Sequence, residues 1–283
     1  MPAAAVTPRF GRVVLIGKLR SPEIEASLLE MRAFLVKRGC EVLPEGETAA
    51  DLAIVIGGDG TMLAAARDLV RHRVPLVGIN QGRVGFMTDI GHDDMQRAIG
   101  AILDGNYSIE ERSLLDAEIR RDGKSALRTI ALNEAVIGKG SQGRLIEFDL
   151  ALDGEFVYTL RADGIIVATP TGSTAYALSA QGPILHPAVP ALTLVPLNPH
   201  TLSARPVSVS DRSAIEILLV HALDARAHFD GLALADMAEG DRLLLKRSAD
   251  VVRLVHPPGY RYFATLREKL GWSEALEKRR GPE

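Results

Sequence analysis

The sequence is short of the residues that build covalent, metallic or membrane-embedded scaffolds. It has one cysteine in 283 residues, Cys40, so an intramolecular disulfide and a cysteine-based zinc site are both excluded. Cys40 follows Gly39 just before a strand-like segment and reads as a small buried hydrophobe. There is no excess of positive charge: Lys and Arg number 33 against 36 Asp and Glu. That balance argues against a general nucleic-acid binder but leaves small anionic ligands open, because those are read by local geometry. No run reaches about 18 uninterrupted apolar residues, so no membrane span or membrane partner is expected. The segment MPAAAVTPRFGR has no basic head followed by a long apolar run. No signal peptide is therefore expected, and a cytoplasmic location is. The seven histidines are scattered, without a His-x-x-x-His pair, and His186 reads as structural.

What the chain does have is two textures. From about residue 12 to 105, short apolar strands alternate with helical patterns. VVLIGK at 13–18 reads as a strand. Ser21-Pro22 then reads as an N-cap with proline in the first helical position. Ile24, Leu28, Met31 and Leu35 follow on one helical face, until Gly39 stops the helix. LAIVI at 52–56, a helix from Met62 to Arg71, a strand at 74–79 and a helix over DDMQRAIGAILDG continue the alternation. It predicts an α/β domain with a Rossmann-like parallel sheet covered on both faces. From Tyr107 to about 255 most segments read as strands. Ile146, Phe148, Leu150 and Leu152 alternate with polar or small residues, Asp153-Gly154 follows, and Phe156, Tyr158 and Leu160 alternate again. Asp-Gly between two period-2 runs predicts a hairpin, since both turn residues need positive φ. This gives a β-rich, sandwich-like second domain with one helical island at 173–180. The expected borders are 1–106 for the α/β domain and 107–259 for the β-rich one. A helix over 260–283 is expected to return to the first.

Three clusters can carry chemistry. The strand LAIVI ends in Gly57-Gly58-Asp59-Gly60-Thr61 and opens a helix. Such a loop presents free main-chain N–H groups and a helix dipole, a setting for phosphate. A carboxylate there repels phosphate. Asp59 makes sense if it takes a proton from a hydroxyl attacking that phosphate, or holds a metal beside it. On these residues alone a plain strand–helix turn with Asp59 as a cap also fits. Two common nucleotide motifs are excluded. Leu63 stands where a dinucleotide fingerprint needs its third glycine, and Glu118 where a P-loop ending in Gly123-Lys124-Ser125 needs its first. The second cluster is Asn133-Glu134 within an apolar strand. Adjacent strand residues face opposite ways, so one should point inward or into a cleft and need a partner. The pair suits the vicinal hydroxyls of a sugar, although a strand end fits too. In the third, RADGIIVATPTGSTAYALSAQGPILHP at 161–187, Thr169, Thr171, Ser173 and Thr174 crowd a helix start that would suit a polar ligand. Tyr176 follows and is either a stacking ring or a core aromatic. Arg161 and Asp163 read as ligand groups or as a solvated pair.

In order and spacing, GGDGT near residue 60, NE at 133–134 and ADGIIVATPTGSTAYALSAQGPI from 162 resemble the NAD kinase family, in its bacterial branch. The resemblance runs from about Val13 to Trp272, including HPPGYRYFATLREKLGW. It implies an enzyme that phosphorylates the 2′-hydroxyl of the adenosine ribose of NAD to give NADP. The donor would be ATP with Mg²⁺, or polyphosphate. It assigns Asp59 as the catalytic carboxylate, and Gly57, Gly58, Gly60 and Thr61 as the donor-phosphate loop. It lines the NAD site with Asp59, Gly60, Asn133, Glu134, Arg144, Arg161, Asp163, Thr171, Thr174, Ala175, Tyr176, Ala177, Leu178 and Ser179. No protein side chain is assigned to the metal. A homodimer or homotetramer is implied, with the 161–163 segment able to reach a neighbouring subunit. One departure stands out: many members carry Asp-Gly-Gln where this chain has Asp230-Gly231-Leu232, and no ligand contact is carried over to Leu232. A non-catalytic NAD(P) sensor and a lipid or sugar kinase sharing only GGDG are the alternatives. Asp59 argues against the first, and the other two clusters against the second.

Overall fold

The computed structural model describes residues 10–17, 21–82, 85–141, 143–231 and 233–272. They fall into two compact units. Residues up to Glu111 cluster with those from Val252 onward, and Arg112–Val251 form the other unit.

In the first unit, β1 (Arg12–Gly17) leads to α1 (Pro22–Lys37) and β2 (Glu41–Leu43). Lys18 lies outside the described residues. Proline does open α1, with Ser21 at the N-cap, but the serine hydroxyl makes no capping bond. The helix buries Ser27, Met31 and Leu35, the inward face that the apolar spacing predicts. It ends where Gly39 takes φ 81. Next come β3 (Leu52–Ile56), α2 (Asp59–Leu69), β4 (Leu76–Asn80), β5 (Ile90–Gly91) and α3 (Met95–Leu103). The strands run parallel in the order β2-β1-β3-β4, with β5 on β4. Every residue of β3 and β4 is buried, as expected of parallel strands covered on both faces.

The expected start of the second helix, Met62, is corrected to Asp59. Gly58 is the N-cap, and its carbonyl accepts from both Thr61 and Met62. The apolar pattern that marks a helix begins only where the helix meets the core, and Gly58 and Gly60 are exposed. Past Leu69 the chain tightens into a 3₁₀ turn over Val70–His72. The order of connections reverses between β1 and β3, whose carboxyl ends pair as Gly17 with Ile56. In open α/β sheets ligands bind outside the carboxyl ends at such a switch point. The glycine loop sits there.

The second unit is antiparallel. β6 (Ser108–Arg121) and β7 (Lys124–Ala131) form a hairpin around Asp122 and Gly123, both at positive φ. Then follow β8 (Glu134–Lys139), β9 (Ile146–Leu152), β10 (Glu155–Ala162), β11 (Gly164–Ala168) and α4 (Tyr176–Ser179). β12 (Ala191–Leu197), β13 (Val207–Ser210), β14 (Ile215–His221), β15 (Ala225–Phe229), β16 (Ala233–Met237) and β17 (Arg242–His256) complete it. One sheet has the order β13-β12-β11-β8-β15-β16, and a second runs β10-β9-β14-β17. Side chains of both meet in one core holding Ile137, Phe148, Leu150, Ile165, Ile217, Phe229 and Leu243. That is the sandwich-like packing the alternation predicts. The opposite face of β8 and β11 is covered as well, with Val136, Ile166 and Ala168 packing on Ala177 of α4. Those strands therefore read as continuous apolar runs.

Asp153 and Gly154 take φ 52 and 84, joining β9 to β10 as the sequence predicts. The helical island is corrected. It is two short pieces, a 3₁₀ turn over Gly172–Thr174 and the four residues of α4, broken at Ala175. β17 runs on into the first unit, where Leu254 pairs with Leu76 of β4. α5 (Tyr262–Leu270) follows, buries Thr265 and Leu266, and ends at Gly271 with φ 62. Residues 273–283, included in the expected tail helix, lie outside the described residues, as does Leu232. Among the described residues no helix is long and apolar enough to cross a membrane.

The hairpin supplies a test. Phe148 is fully buried and Phe156 is 61% exposed. Phe148→Ala should cost about 3–5 kcal/mol, and Phe156→Ala no more than about 0.5 kcal/mol. Denaturant midpoints of the two variants check this, and equal shifts would contradict the register.

Candidate active site

In the first unit, the Asp59 carboxylate is gripped by main chain. Phe86 N–H donates to Oδ2 and Met87 N–H to Oδ1, each at 3.0 Å, with the Thr88 hydroxyl 3.4 Å from Oδ1. Asn80, itself buried, donates from Nδ2 to Thr88 Oγ1 at 3.0 Å. The fit depends on Gly85: a Cβ there would stand 2.2 Å from Asp59 Oδ1. The carboxylate thus does not cap its own helix; it is held across to the 85–88 segment. Each carboxylate oxygen has two acceptor sites; Oδ1 meets both the Met87 amide and the Thr88 hydroxyl, so the site left for an incoming donor is on Oδ2. The Asp59 and Gly60 amides at the start of α2 precede the first carbonyl-bonded ones, Thr61 and Met62, so the glycine loop combines anion-seeking N–H groups with a fixed carboxylate.

In the second unit, Asn133 and Glu134 are both buried, at 8% and 7% exposure. The expectation that adjacent residues point to opposite faces is corrected: Asn133 precedes β8 and Glu134 opens it. They are set by Asp230, whose carboxylate accepts from the amides of Leu132 (2.8 Å), Asn133 (2.7 Å) and Glu134 (3.1 Å). Asp230 sits at φ 55 with Gly231 at φ 64, the positive-φ pair that Asp-Gly favours in a turn. The threonine-rich segment binds the same strand. Thr169 donates to the Leu132 carbonyl at 2.5 Å, and a Cβ on Gly172 would lie 2.1 Å from the Asn133 carbonyl oxygen. The Tyr176 amide donates to the Glu134 carboxylate. Glu134 Oε2 is buried without a hydrogen-bond partner. Burial first, and the nearby Asp230 charge second, push the Glu134 carboxyl up to about 7 from an ordinary 4.5, against the pull of that amide.

The structure brings Asn133, Glu134, Thr171, Thr174, Ala175, Tyr176, Ala177, Leu178 and Ser179 into one wall, but the hydroxyls are used differently from expectation. Ser173 donates to the Pro170 carbonyl and Thr174 to the Thr171 carbonyl. Thr171 receives Arg112 at 3.3 Å. With only four residues in α4, no helix dipole is available there. Tyr176 is 48% exposed, open to stack on a ring rather than part of the core. Arg161 and Asp163 do not pair with each other. Arg161 faces Glu147 at 3.6 Å, while Asp163 binds Lys139 at 2.6 Å and Asn198 at 2.9 Å. The Lys139 bond chiefly holds the Asp163 carboxyl below its ordinary range. Arg144 is exposed ahead of β9. Sequence reasoning missed Asn80, Thr88 and the organising role of Asp230. The Asp230-Gly231 pair was the available signal for the last. Among the described residues no group of three or more His, Cys, Asp or Glu side chains could hold a metal ion.

Residues 40–107 match the family model of the ATP-NAD kinase N-terminal domain and residues 132–257 that of the ATP-NAD kinase C-terminal domain. An NAD kinase of Aromatoleum aromaticum is 56% identical over 95% of this chain and 96% of its own length. One from an Azoarcus species is 51% identical over 95% and 98%. An NAD kinase from Archaeoglobus fulgidus, solved in complex with ATP, has a TM-score of 0.75 at 26% identity, covering 91% of this chain and 99% of that one. Yeast NADH kinase complexed with NADH shares the fold with a TM-score of 0.85 at 23% identity, over 93% of this chain and 88% of its own.

Two outcomes follow from the wall around Glu134. A carboxyl whose folded pKa lies above its unfolded one keeps a proton that the unfolded chain has lost, so stability falls as pH rises from about 4.5 to about 7. Glu134→Gln should therefore gain in thermal midpoint relative to the parent at pH 8 but not at pH 4; a constant difference would contradict the assignment. Asp230→Ala strands three buried N–H donors at about 1–3 kcal/mol each. It should lower the denaturation midpoint far more than Asp224→Ala, a comparison made by chemical unfolding.

Proposed function

The chain belongs to the NAD kinase family, and we infer that it transfers the terminal phosphoryl group of ATP to the 2′-hydroxyl of the adenosine ribose of NAD, giving NADP. The observation that carries this reading is the fixed Asp59 carboxylate at the switch point of the parallel sheet, beside the glycine loop. Within the loop Gly57, Gly58, Gly60 and Thr61, the Gly58 and Gly60 N–H groups would hold the donor phosphates, while the Gly57 and Thr61 amides, donated to the Ile79 and Gly58 carbonyls, would fix the loop's shape. Asn133, Glu134 and Tyr176 would bind the dinucleotide. Glu134 has an unpartnered buried oxygen to offer a hydroxyl, and Tyr176 an exposed ring to offer a base. Exposed Arg144, and Arg161 beside Glu147, would meet phosphate of the dinucleotide on the same or a neighbouring subunit of a homodimer or homotetramer.

A carboxylate is a far weaker base than an alkoxide, so Asp59 cannot strip the hydroxyl beforehand. It accepts the proton as the oxygen–phosphorus bond forms, in a loose transition state where alignment dominates. Its two amide bonds supply that alignment before substrate arrives. Mg²⁺ would supply charge neutralisation on the donor phosphates. Polyphosphate as an alternative donor meets the same glycine loop.

Protein mixed with NAD, Mg²⁺ and ATP should form NADP, read by a strictly NADP-dependent dehydrogenase. Asp59→Asn should lower turnover by about 10²- to 10⁴-fold. Near-normal turnover in folded Asp59→Asn would remove the proton-acceptor role.

A further inference from the structure

His256, at the end of β17, is buried at 2% exposure and takes no part in the chemistry above. Its Nδ1 lies 2.9 Å from Asp89 Oδ2 and its Nε2 lies 3.1 Å from Glu110 Oε2. With both carboxylates ionised, only an imidazolium, which donates from both nitrogens, makes both bonds at once. The groups facing it are Asp89 from the segment before β5, Glu110 from β6, and Tyr260, whose ring stacks on it at 3.7 Å and 5°. Burial works against the charge, but the bonds and charges of Asp89 and Glu110 outweigh it and raise the histidine pKa. Asp89 immediately follows Thr88, in the segment whose Phe86 and Met87 amides hold Asp59. The other Asp89 oxygen, Oδ1, is buried with no hydrogen-bond partner. His256 is therefore what anchors this side chain among the described residues.

We propose that His256 is a positioning residue for phosphoryl transfer: clamped between Asp89 and Glu110, it fixes the 85–89 segment whose amides aim the Asp59 carboxylate. The proposal rests on Asp59 being the proton acceptor. A neutral imidazole donates from only one nitrogen, so its deprotonation strands one of two carboxylates and releases one end of the clamp. The effect on catalysis passes through geometry, since a displacement near 1 Å at a reacting group costs on the order of 10² in rate.

The test uses the full chain and four variants: His256→Gln, Glu110→Gln, Asp59→Asn and the Asp59→Asn/His256→Gln double variant. For each, kcat and KM are measured from about pH 6 to about pH 10, together with hydrogen–deuterium exchange of the peptide covering 85–89. In His256→Gln, kcat should fall about 10- to 100-fold with both KM values within about twofold, and the 85–89 amides should exchange faster. The parent should lose kcat on the alkaline side as the imidazolium titrates, and His256→Gln should lack that limb. Added to Asp59→Asn, His256→Gln should cost nothing further, because both act through one group. If His256→Gln does not fold, Glu110→Gln, whose side chain is 24% exposed, keeps an acceptor but removes a charge that favours the imidazolium, so its alkaline loss of kcat and its faster 85–89 exchange should set in at lower pH than in the parent. Parent-like kcat and exchange across that pH range in a folded clamp variant, or losses that multiply in the double variant, would overturn the proposal alone. Parent-like turnover in Asp59→Asn would instead overturn the proton-acceptor role and the proposal with it.

Discussion

A carboxylate fastened to main-chain amides is the interaction on which each unit depends. Asp59 takes two N–H groups from the 86–87 segment, and Asp230 takes three from 132–134. Bonds from N–H to an ionised acceptor are short and about twice as strong as neutral ones, and they restrain the backbone that supplies them. In the first unit the fastened group is itself the proposed proton acceptor. In the second the fastened group is silent, and its effect is to present Asn133 and Glu134. One device thus does two jobs, aiming a side chain and shaping the wall beside another.

The same residue type behaves differently according to what surrounds it. Asp163 meets Lys139 and Asn198 and stays readily ionised. Glu134 is buried beside a like charge, with one amide for support, and holds its proton to near neutrality. A buried oxygen without a partner is costly until a donor reaches it, which is why Glu134 is the proposed contact for a ligand hydroxyl.

Much of this was legible beforehand, for local reasons. Periodicity placed α1, β3, β4 and α3, because each buries one face or both against a core. Asp153-Gly154 announced its hairpin because few residue pairs tolerate two positive φ values. Glycines around Asp59 announced the turn from β3 into α2. What stayed hidden depended on contacts between distant positions. The sequence of 59 says nothing of 86 and 87, nor that of 133 of 230. The first turn of α2 escaped notice because it faces solvent and has no apolar stripe. The hydroxyls near 170 look alike in the sequence, and only the fold shows that Thr169, Ser173 and Thr174 donate to nearby carbonyls. Composition reveals a donor, but not whom it serves.

The contact between Gly172 and the Asn133 carbonyl leaves no room for even a methyl group. Gly172 is itself buried, so the two segments meet there backbone to backbone, with no side chain between them. A larger residue at 172 would have to push the turn carrying Thr171 and Thr174 away from Asn133. Variation in this part of the chain is therefore tolerated at exposed neighbours such as Tyr176 or Ser179 rather than at the joint itself.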